Sequence, residues 1–127
     1  MSLSHFAFSQ TGLAVEQGLV RIKFSEAIAS RLANSQMTQT FDGIVLTGIT
    51  ELDAFNQQFR VREFKRVFRP SGKFEARHRK YELDRWYQLQ FEATAPVLQA
   101  VSAYQSLIQV DKAEPVYKKA IVGSENK

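Results

Sequence analysis

Residues 81–119 narrow the choice of fold more than any other part of the chain. Within them, residues 85–92 alternate apolar and polar side chains, with Tyr87 and Leu89 on one side, which is typical of a half-buried β-strand. Pro96, two residues after Thr94, favours the start of a helix, and residues 107–114 predict a second strand. The helix between the strands is expected to bury Val97, Leu98, Val101 and Tyr104. This pattern indicates half of a small sheet domain, followed by a chain that leaves the domain.

The first half of the chain repeats the succession of strand and helix. Residues 18–24 alternate in the same way, and Ser25 is a candidate N-cap for a helix over residues 26–33. Residues 61–68 predict another strand. The charged residues 73–80 that follow are expected to form a loop or an irregular hairpin arm.

An insert separates the first helix from the second strand. Thr50 and Asp53 resemble a capping box, which predicts a second short helix there. The resulting order predicts an α+β domain of the ferredoxin-like, split βαβ type: a four-stranded antiparallel sheet with two helices on one face, plus an inserted segment after the first helix. We expect an N-terminal extension at residues 1–17, the domain at residues 18–115 and an extended tail at residues 116–127.

Trp86 lies on the side of its predicted strand opposite to Tyr87 and Leu89. Its position therefore indicates the open face of the sheet, and an exposed aromatic side chain there suggests a surface that another molecule covers. The alternative is that Trp86 packs under residues 73–80. The sequence leaves both possibilities open.

Composition limits the classes of function. A chain of 127 residues is most simply one domain, and its net charge of +4 permits a nucleic-acid partner without requiring one. The absence of cysteine excludes disulfides and thiolate metal sites. No apolar run approaches the roughly 18 residues of a membrane span, so no membrane partner is expected. Residues 1–4 lack the pattern of a signal peptide, and such a start could replace a removed leader.

Four segments follow one another in an informative order: GLVRIKF at residues 18–24, FEARHR at residues 74–79, LDRWY at residues 83–87 and AEPVY at residues 113–117. Together they resemble the N-terminal prodomains (inhibitor I9-like propeptides) of secreted bacterial subtilisin-like serine proteases. The resemblance spans residues 18–119, and its last segment is the most specific. Two features depart from the family: the insert at residues 37–59 is long, and Glu82 stands where glycine is frequent.

The resemblance implies an intramolecular chaperone that is also a temporary inhibitor of its own protease in a secreted or periplasmic zymogen. In that family the open sheet face, here with Trp86, packs on two surface helices of the catalytic domain. Glu114 is the residue expected to cap the N-termini of such helices, although it could equally be a solvated charge at a strand end. The tail is expected to lie along the active-site cleft like a substrate, through Val116, Tyr117, Lys118, Lys119, Ala120 and Ile121.

The chain itself is not expected to be an enzyme. A subtilisin-like triad needs an aspartate, a histidine and a serine in their characteristic motifs, and the histidines, His5 and His78, stand in no such motif. Two isolated histidines also give no metal-ligand spacing, so neither a metal nor another cofactor is expected. His78, between arginines, is interpreted as a surface residue.

Two other functions are alternatives to the prodomain interpretation. A free-standing subtilisin inhibitor of the same fold would act on a protease in trans. A nucleic-acid-binding module is less favoured, because the strand at residues 85–92 lacks the glycine-aromatic motif of the RRM domain. Its case depends on basic residues interleaved with Phe64, Phe68 and Phe74: Arg60, Arg62, Lys65, Arg66, Arg69, Lys73, Arg77, Arg79 and Lys80.

Overall fold

The computed structural model describes residues 14–68, 72–92 and 94–118. The strands of this part are β1 Val15–Phe24, β2 Thr38–Gln39, β3 Val45–Leu46, β4 Glu63–Arg66, β5 Trp86–Gln90 and β6 Val110–Tyr117. The helices are α1 Glu26–Asn34, α2 Thr50–Phe59, α3 Glu75–Lys80 and α4 Val97–Gln105. Short 3-10 turns at Gly72–Phe74 and Leu83–Arg85 flank α3.

Strands β4, β5, β1 and β6 form one antiparallel sheet in that order, and β2 pairs with β3 in a separate hairpin. The α+β class and the four-stranded antiparallel sheet are thus confirmed. The strand order is consistent with the ferredoxin-like arrangement. Strand β1 lies inside the sheet, whereas β4 and β6 are its edges.

One core holds α1, α2 and α4 against one side of the sheet. Its strand residues include Val20, Ile22 and Phe24 of β1, all completely buried. The helices contribute Ile28, Ala29 and Leu32 of α1, Leu52 and Phe59 of α2, and Val97, Ala100 and Tyr104 of α4. Because burying one large apolar side chain is worth about 1.5–3 kcal/mol, these apolar stripes fix the short helices in place.

The predicted start of α1 is confirmed, whereas the predicted capping box of α2 is wrong. The hydroxyl oxygen of Ser25 accepts a hydrogen bond from the Ile28 amide at 3.4 Å. Thr50 lies inside α2 and does not cap it, because the N-cap residue is Ile49. Asp53 instead reaches back to the turn that precedes the helix.

Residues 73–80 are not the expected loop or hairpin arm. They form a 3-10 turn and α3, in which Glu75 lies in the first turn and basic side chains crowd the last turn. Both placements suit the helix dipole. The expected apolar face of α4 also needs one correction, because Leu98 is 64% exposed and Ala100 is buried in its place.

The last strand begins and ends three residues later than the prediction of residues 107–114. Leu107 belongs to a turn in which its amide donates to the Tyr104 carbonyl at 3.1 Å. At the other end, β6 continues to Tyr117 because Tyr117 pairs with Val15 at the start of β1. Val116 and Tyr117, the first two residues of the expected tail, are therefore part of the sheet.

Candidate functional site

The side of the sheet that faces away from the helices carries a polar surface, which we call the open face. Alternation along the paired strands assigns its residues. They are Glu63 and Lys65 of β4, Trp86, Gln88 and Gln90 of β5, Leu19, Arg21 and Lys23 of β1, and Lys112 and Glu114 of β6.

One row of open-face residues crosses all four strands. Lys65 lies opposite Gln88, Gln88 opposite Arg21, and Arg21 opposite Glu114. The Arg21 Nε donates a hydrogen bond to Gln88 Oε1 at 3.0 Å, so the guanidinium is fixed at the centre of the row. Glu114 stands at its edge, 40% exposed, with Lys112 Nζ 3.7 Å from its Oε1 atom. Its carboxylate can therefore accept hydrogen bonds from another molecule.

Trp86 begins β5 opposite Lys23, and its carbonyl accepts a hydrogen bond from the Val67 amide at 3.0 Å. The side chain is half-buried and shares the open face with Glu114, with β1 between their strands. Residues 75–80, which form α3, lie on the opposite side of the sheet from Trp86. There Glu75 accepts a hydrogen bond from Arg66.

The end of β6 and facing residues of β1 line a cavity beside Glu114. Its volume is about 390 Å³, and it is lined by Glu16, Arg21, Glu114, Pro115, Val116 and Tyr117. The structure thus brings together three of the predicted site residues. Tyr117 is 51% exposed, and the amide of Lys118 donates to the Ala14 carbonyl at 2.8 Å. Lys119, Ala120 and Ile121 lie outside the described residues.

Glu82, which stands where the resembled family often has glycine, adopts a left-handed backbone with φ of 62°. This conformation favours glycine and is uncommon for other residues. The Glu82 carboxylate accepts a hydrogen bond from Lys23 and lies 3.9 Å from Arg85. That hydrogen bond, the charge of Lys23 and then the charge of Arg85 lower the pKa of Glu82. The sequence carries no local signal for this conformation.

Several cations of the basic segment are paired with acidic side chains. The ion pairs are Arg60–Glu92 at 2.8 Å, Arg62–Glu92 at 3.0 Å, Lys65–Glu63 at 3.5 Å and Arg66–Glu75 at 3.0 Å. The hydrogen bonds from Arg60 and Arg62 lower the pKa of Glu92. These pairs reduce the charge that the segment can offer to a polyanion. Arg69 lies outside the described residues.

His78 is half-buried, with its Nδ1 atom 3.6 Å from Glu75 Oε1. His5 lies outside the described residues. Within residues 14–68, 72–92 and 94–118, no three acidic, histidine or cysteine side chains are grouped as metal ligands would be. The helices of these same ranges include none with the length and apolar character needed to span a membrane.

Comparison with known proteins adds no relative: no protein-family model, curated protein or solved structure matches the chain.

Proposed function

We propose that this chain is the prodomain of a secreted subtilisin-like serine protease and acts as its folding template and temporary active-site inhibitor. The observation that carries the proposal is the cavity shared by Glu114 and the first tail residues at the edge of the open face. A helix-capping carboxylate and a substrate-like tail have to reach one enzyme together, and their adjacency on β6 allows this.

The sheet supports the proposal through its order and its two unlike sides. The order β4, β5, β1, β6 fits a split βαβ, ferredoxin-like domain in which the helices cover only one side. The open face carries polar side chains and half-buried Trp86, so it can pack on the surface helices of a catalytic domain.

The direction of β6 supports an inhibitory tail. This strand is an edge of the sheet, and it runs in extended conformation to Tyr117. A segment that leaves a sheet in this way can continue as a strand along a protease cleft through main-chain hydrogen bonds. Because the folded domain holds the start of the tail in place, ordering the rest of the tail costs less.

The backbone of Glu82 is compatible with the proposal, although this residue departs from the resembled family. The family often has glycine at this position, and the left-handed conformation of Glu82 is one that glycine adopts without strain. The turn before β5 can therefore have the family's geometry despite the different residue. Ion pairs with Lys23 and Arg85 help to hold it.

Inhibition assays with a tail-shortened variant test the proposal. The purified full chain should inhibit at least one enzyme of a panel of subtilisin-type proteases at submicromolar concentration. A variant that ends at Lys118 keeps all of β6, so it should unfold like the full chain and lose most of the inhibition. Equal inhibition by both chains would contradict the role of the tail. A cut before Pro115 would be unsuitable, because it removes three residues of the sheet.

The same assay tests Glu114. Glu114→Ala should weaken inhibition by about 1–3 kcal/mol if the carboxylate accepts hydrogen bonds from enzyme amides. Glu51→Ala, which removes an exposed carboxylate from α2 on the helix side of the sheet, is the matched control and should change inhibition little. An unchanged inhibition constant for Glu114→Ala would indicate that Glu114 is only a solvated charge at the strand end.

Of the two competing functions, only nucleic-acid binding would give a different result in these assays. A free-standing inhibitor would use the same surfaces, and it differs only in being encoded apart from its protease. A nucleic-acid-binding module would inhibit none of the proteases and would bind oligonucleotides with an affinity that falls steeply with salt. The ion pairs of Arg60, Arg62 and Arg66 make this second outcome the less favoured.

A further inference from the structure

The outer side of α3 concentrates positive charge. Lys73, Arg77 and Lys80 are spaced by four and then three residues, so they lie on one side of the helix and of the turn before it. All three are exposed. The opposite side carries Glu75 and His78, which are half-buried toward the rest of the domain. The helix therefore presents a basic surface outward.

These cations differ from most others in the part of the chain that the structure describes. Acidic partners lie within ion-pair distance of Lys23, Arg60, Arg62, Lys65, Arg66, Arg85 and Lys112. Among the described residues, no such ion pair involves Lys73, Arg77 or Lys80. Many basic side chains elsewhere are thus paired with carboxylates, whereas Lys73, Arg77 and Lys80 remain available as one cluster.

Two exposed rings hold these cations in place without neutralising them. Lys73 Nζ lies 5.2 Å and Arg77 Cζ 5.9 Å from the centre of the Phe74 ring, which is 46% exposed. Lys80 Nζ lies 5.6 Å from the centre of the Tyr81 ring, which is 61% exposed. Cation–π contacts of this kind reduce the entropy that the long side chains lose on binding an anion.

We propose that the α3 surface, formed by Lys73, Phe74, Arg77, Lys80 and Tyr81, binds an acidic segment of a partner protein. The axial rise from Lys73 to Lys80 is about 10 Å in helical conformation. Carboxylates on alternate residues of an extended peptide are about 7 Å apart, so two or three of them match this length. Each would meet an ammonium or guanidinium group that a ring already positions.

The geometry favours an acidic peptide over two other polyanions. Stacking of nucleic-acid bases would compete for the faces of the Phe74 and Tyr81 rings over which cations already lie. Insertion into a membrane surface needs a broader apolar face than two partly exposed rings provide. Carboxylates can bind the cations while the cation–π contacts stay in place.

The α3 surface is separate from the open face. Glu75 joins α3 to Arg66, whose side chain lies on the same side of β4 as Phe64, and Phe64 stacks on Phe24 of the core. The helix therefore lies on the helix side of the sheet. A partner bound to α3 leaves the open face and the tail accessible, so this inference stands independently of the proposed protease.

Binding of a synthetic acidic polypeptide, poly-L-glutamate, to the full chain tests the inference. We expect salt-dependent binding that Arg77→Glu weakens by about tenfold, since the substitution reverses one of three facing charges. The matched control is Arg31→Glu, an equally large charge reversal at an exposed arginine of α1, which should change the affinity less than about twofold. Lys80→Gln, with circular dichroism to check folding, repeats the test if Arg77→Glu does not fold.

Equal weakening by Arg77→Glu and Arg31→Glu would overturn the inference, because net charge alone would then control binding. Two comparison ligands test the nature of the partner. These are an oligothymidylate of the same charge and phosphatidylcholine vesicles containing phosphatidylserine. Tighter binding of either one than of poly-L-glutamate, lost in Arg77→Glu, would also overturn it and would assign the surface to nucleic acid or to membranes.

Discussion

Glu92 couples the stability of this fold to pH. It accepts hydrogen bonds from both Arg60 and Arg62, and these lower its pKa below the ordinary glutamate value of about 4.3. A carboxyl group with a lowered pKa in the folded state stabilises the fold above its unfolded pKa. That contribution is lost as the pH falls through the folded pKa.

Acid unfolding therefore gives a residue-level prediction. Glu92→Gln should lower the free energy of unfolding at pH 7, and that free energy should fall less between about pH 5 and pH 3 than in the parent chain. Urea unfolding at several pH values measures both quantities. Glu63→Gln, on the neighbouring strand β4, is the control and should keep the acid sensitivity of the parent chain. Equal acid sensitivity of Glu92→Gln and the parent would contradict the assignment.

Single residues were predictable where a local pattern decides their environment. Ser25 is an N-cap because a small polar residue precedes an apolar periodic segment, and Trp86 follows from alternation along one strand. The left-handed backbone of Glu82 was not predictable, since glutamate does not favour it and its partner Lys23 is 59 residues away. The functional roles of Glu114 and the tail remain predictions.

At the scale of elements, the start of α2 depends on one carboxylate. Asp53 accepts hydrogen bonds from the Thr47 amide at 2.7 Å, the Thr47 hydroxyl at 2.8 Å and the Gly48 amide at 3.0 Å. The side chain therefore ties the first turn of the helix to residues 47 and 48, which directly follow β3.

Asp53→Ala should lower the free energy of unfolding by about 2 kcal/mol, near the upper end for a lost helix cap, because three donors lose their acceptor. Chemical denaturation measures the difference. Gln57→Ala, on an exposed position of the same helix, is the control and should have little effect. If Asp53→Ala lowers the free energy of unfolding no more than the control does, water can replace the carboxylate as acceptor without loss of stability.

Element boundaries depended on contacts that lie far apart in the chain. The prediction missed α3 because its six residues carry charges without an apolar stripe, so no period marks a helix. It ended β6 too early because the strand continues through pairing with Val15, about a hundred residues away. By contrast, α1, α2 and α4 were predicted because each buries an apolar stripe.

At the scale of the whole molecule, a buried polar pair joins α2 to α4. Tyr104 donates its hydroxyl hydrogen to Asn56 Oδ1 at 2.7 Å, and the Asn56 amide group donates to the Val45 carbonyl at 3.0 Å. Both side chains are completely buried. Burial raises the pKa of Tyr104 far above its ordinary value, so the hydroxyl stays protonated and remains a donor.

Tyr104→Phe should lower the free energy of unfolding by about 1–3 kcal/mol, because Asn56 Oδ1 is left without its donor in the core. Thermal or urea unfolding measures the loss. Tyr81→Phe removes a hydroxyl from a well-exposed ring and should leave the free energy of unfolding nearly unchanged. Equal stability of the two variants would contradict the importance of the buried pair.

The class of the domain was predictable from the order of strands and helices, because an interrupted repeat of that order has few antiparallel solutions. The position of the insert was not predictable. Nothing in the spacing of Leu52, Phe55 and Phe59 shows that α2 packs in the main core beside α4. Such placement depends on pairs such as Asn56 and Tyr104, which only the folded chain brings together.

The pairing of Tyr117 with Val15 has a mechanical consequence. The start of β1 and the end of β6 are neighbours, and the Lys118 amide closes the ladder on the Ala14 carbonyl. A force that separates residues 14 and 118 acts perpendicular to the two antiparallel strands. It therefore breaks their hydrogen bonds one after another, in unzipping geometry. Pulling on the tail would therefore separate β6 from β1, starting at Tyr117. Glu114 would leave the sheet early in this process, while the helices and the other strands are still folded.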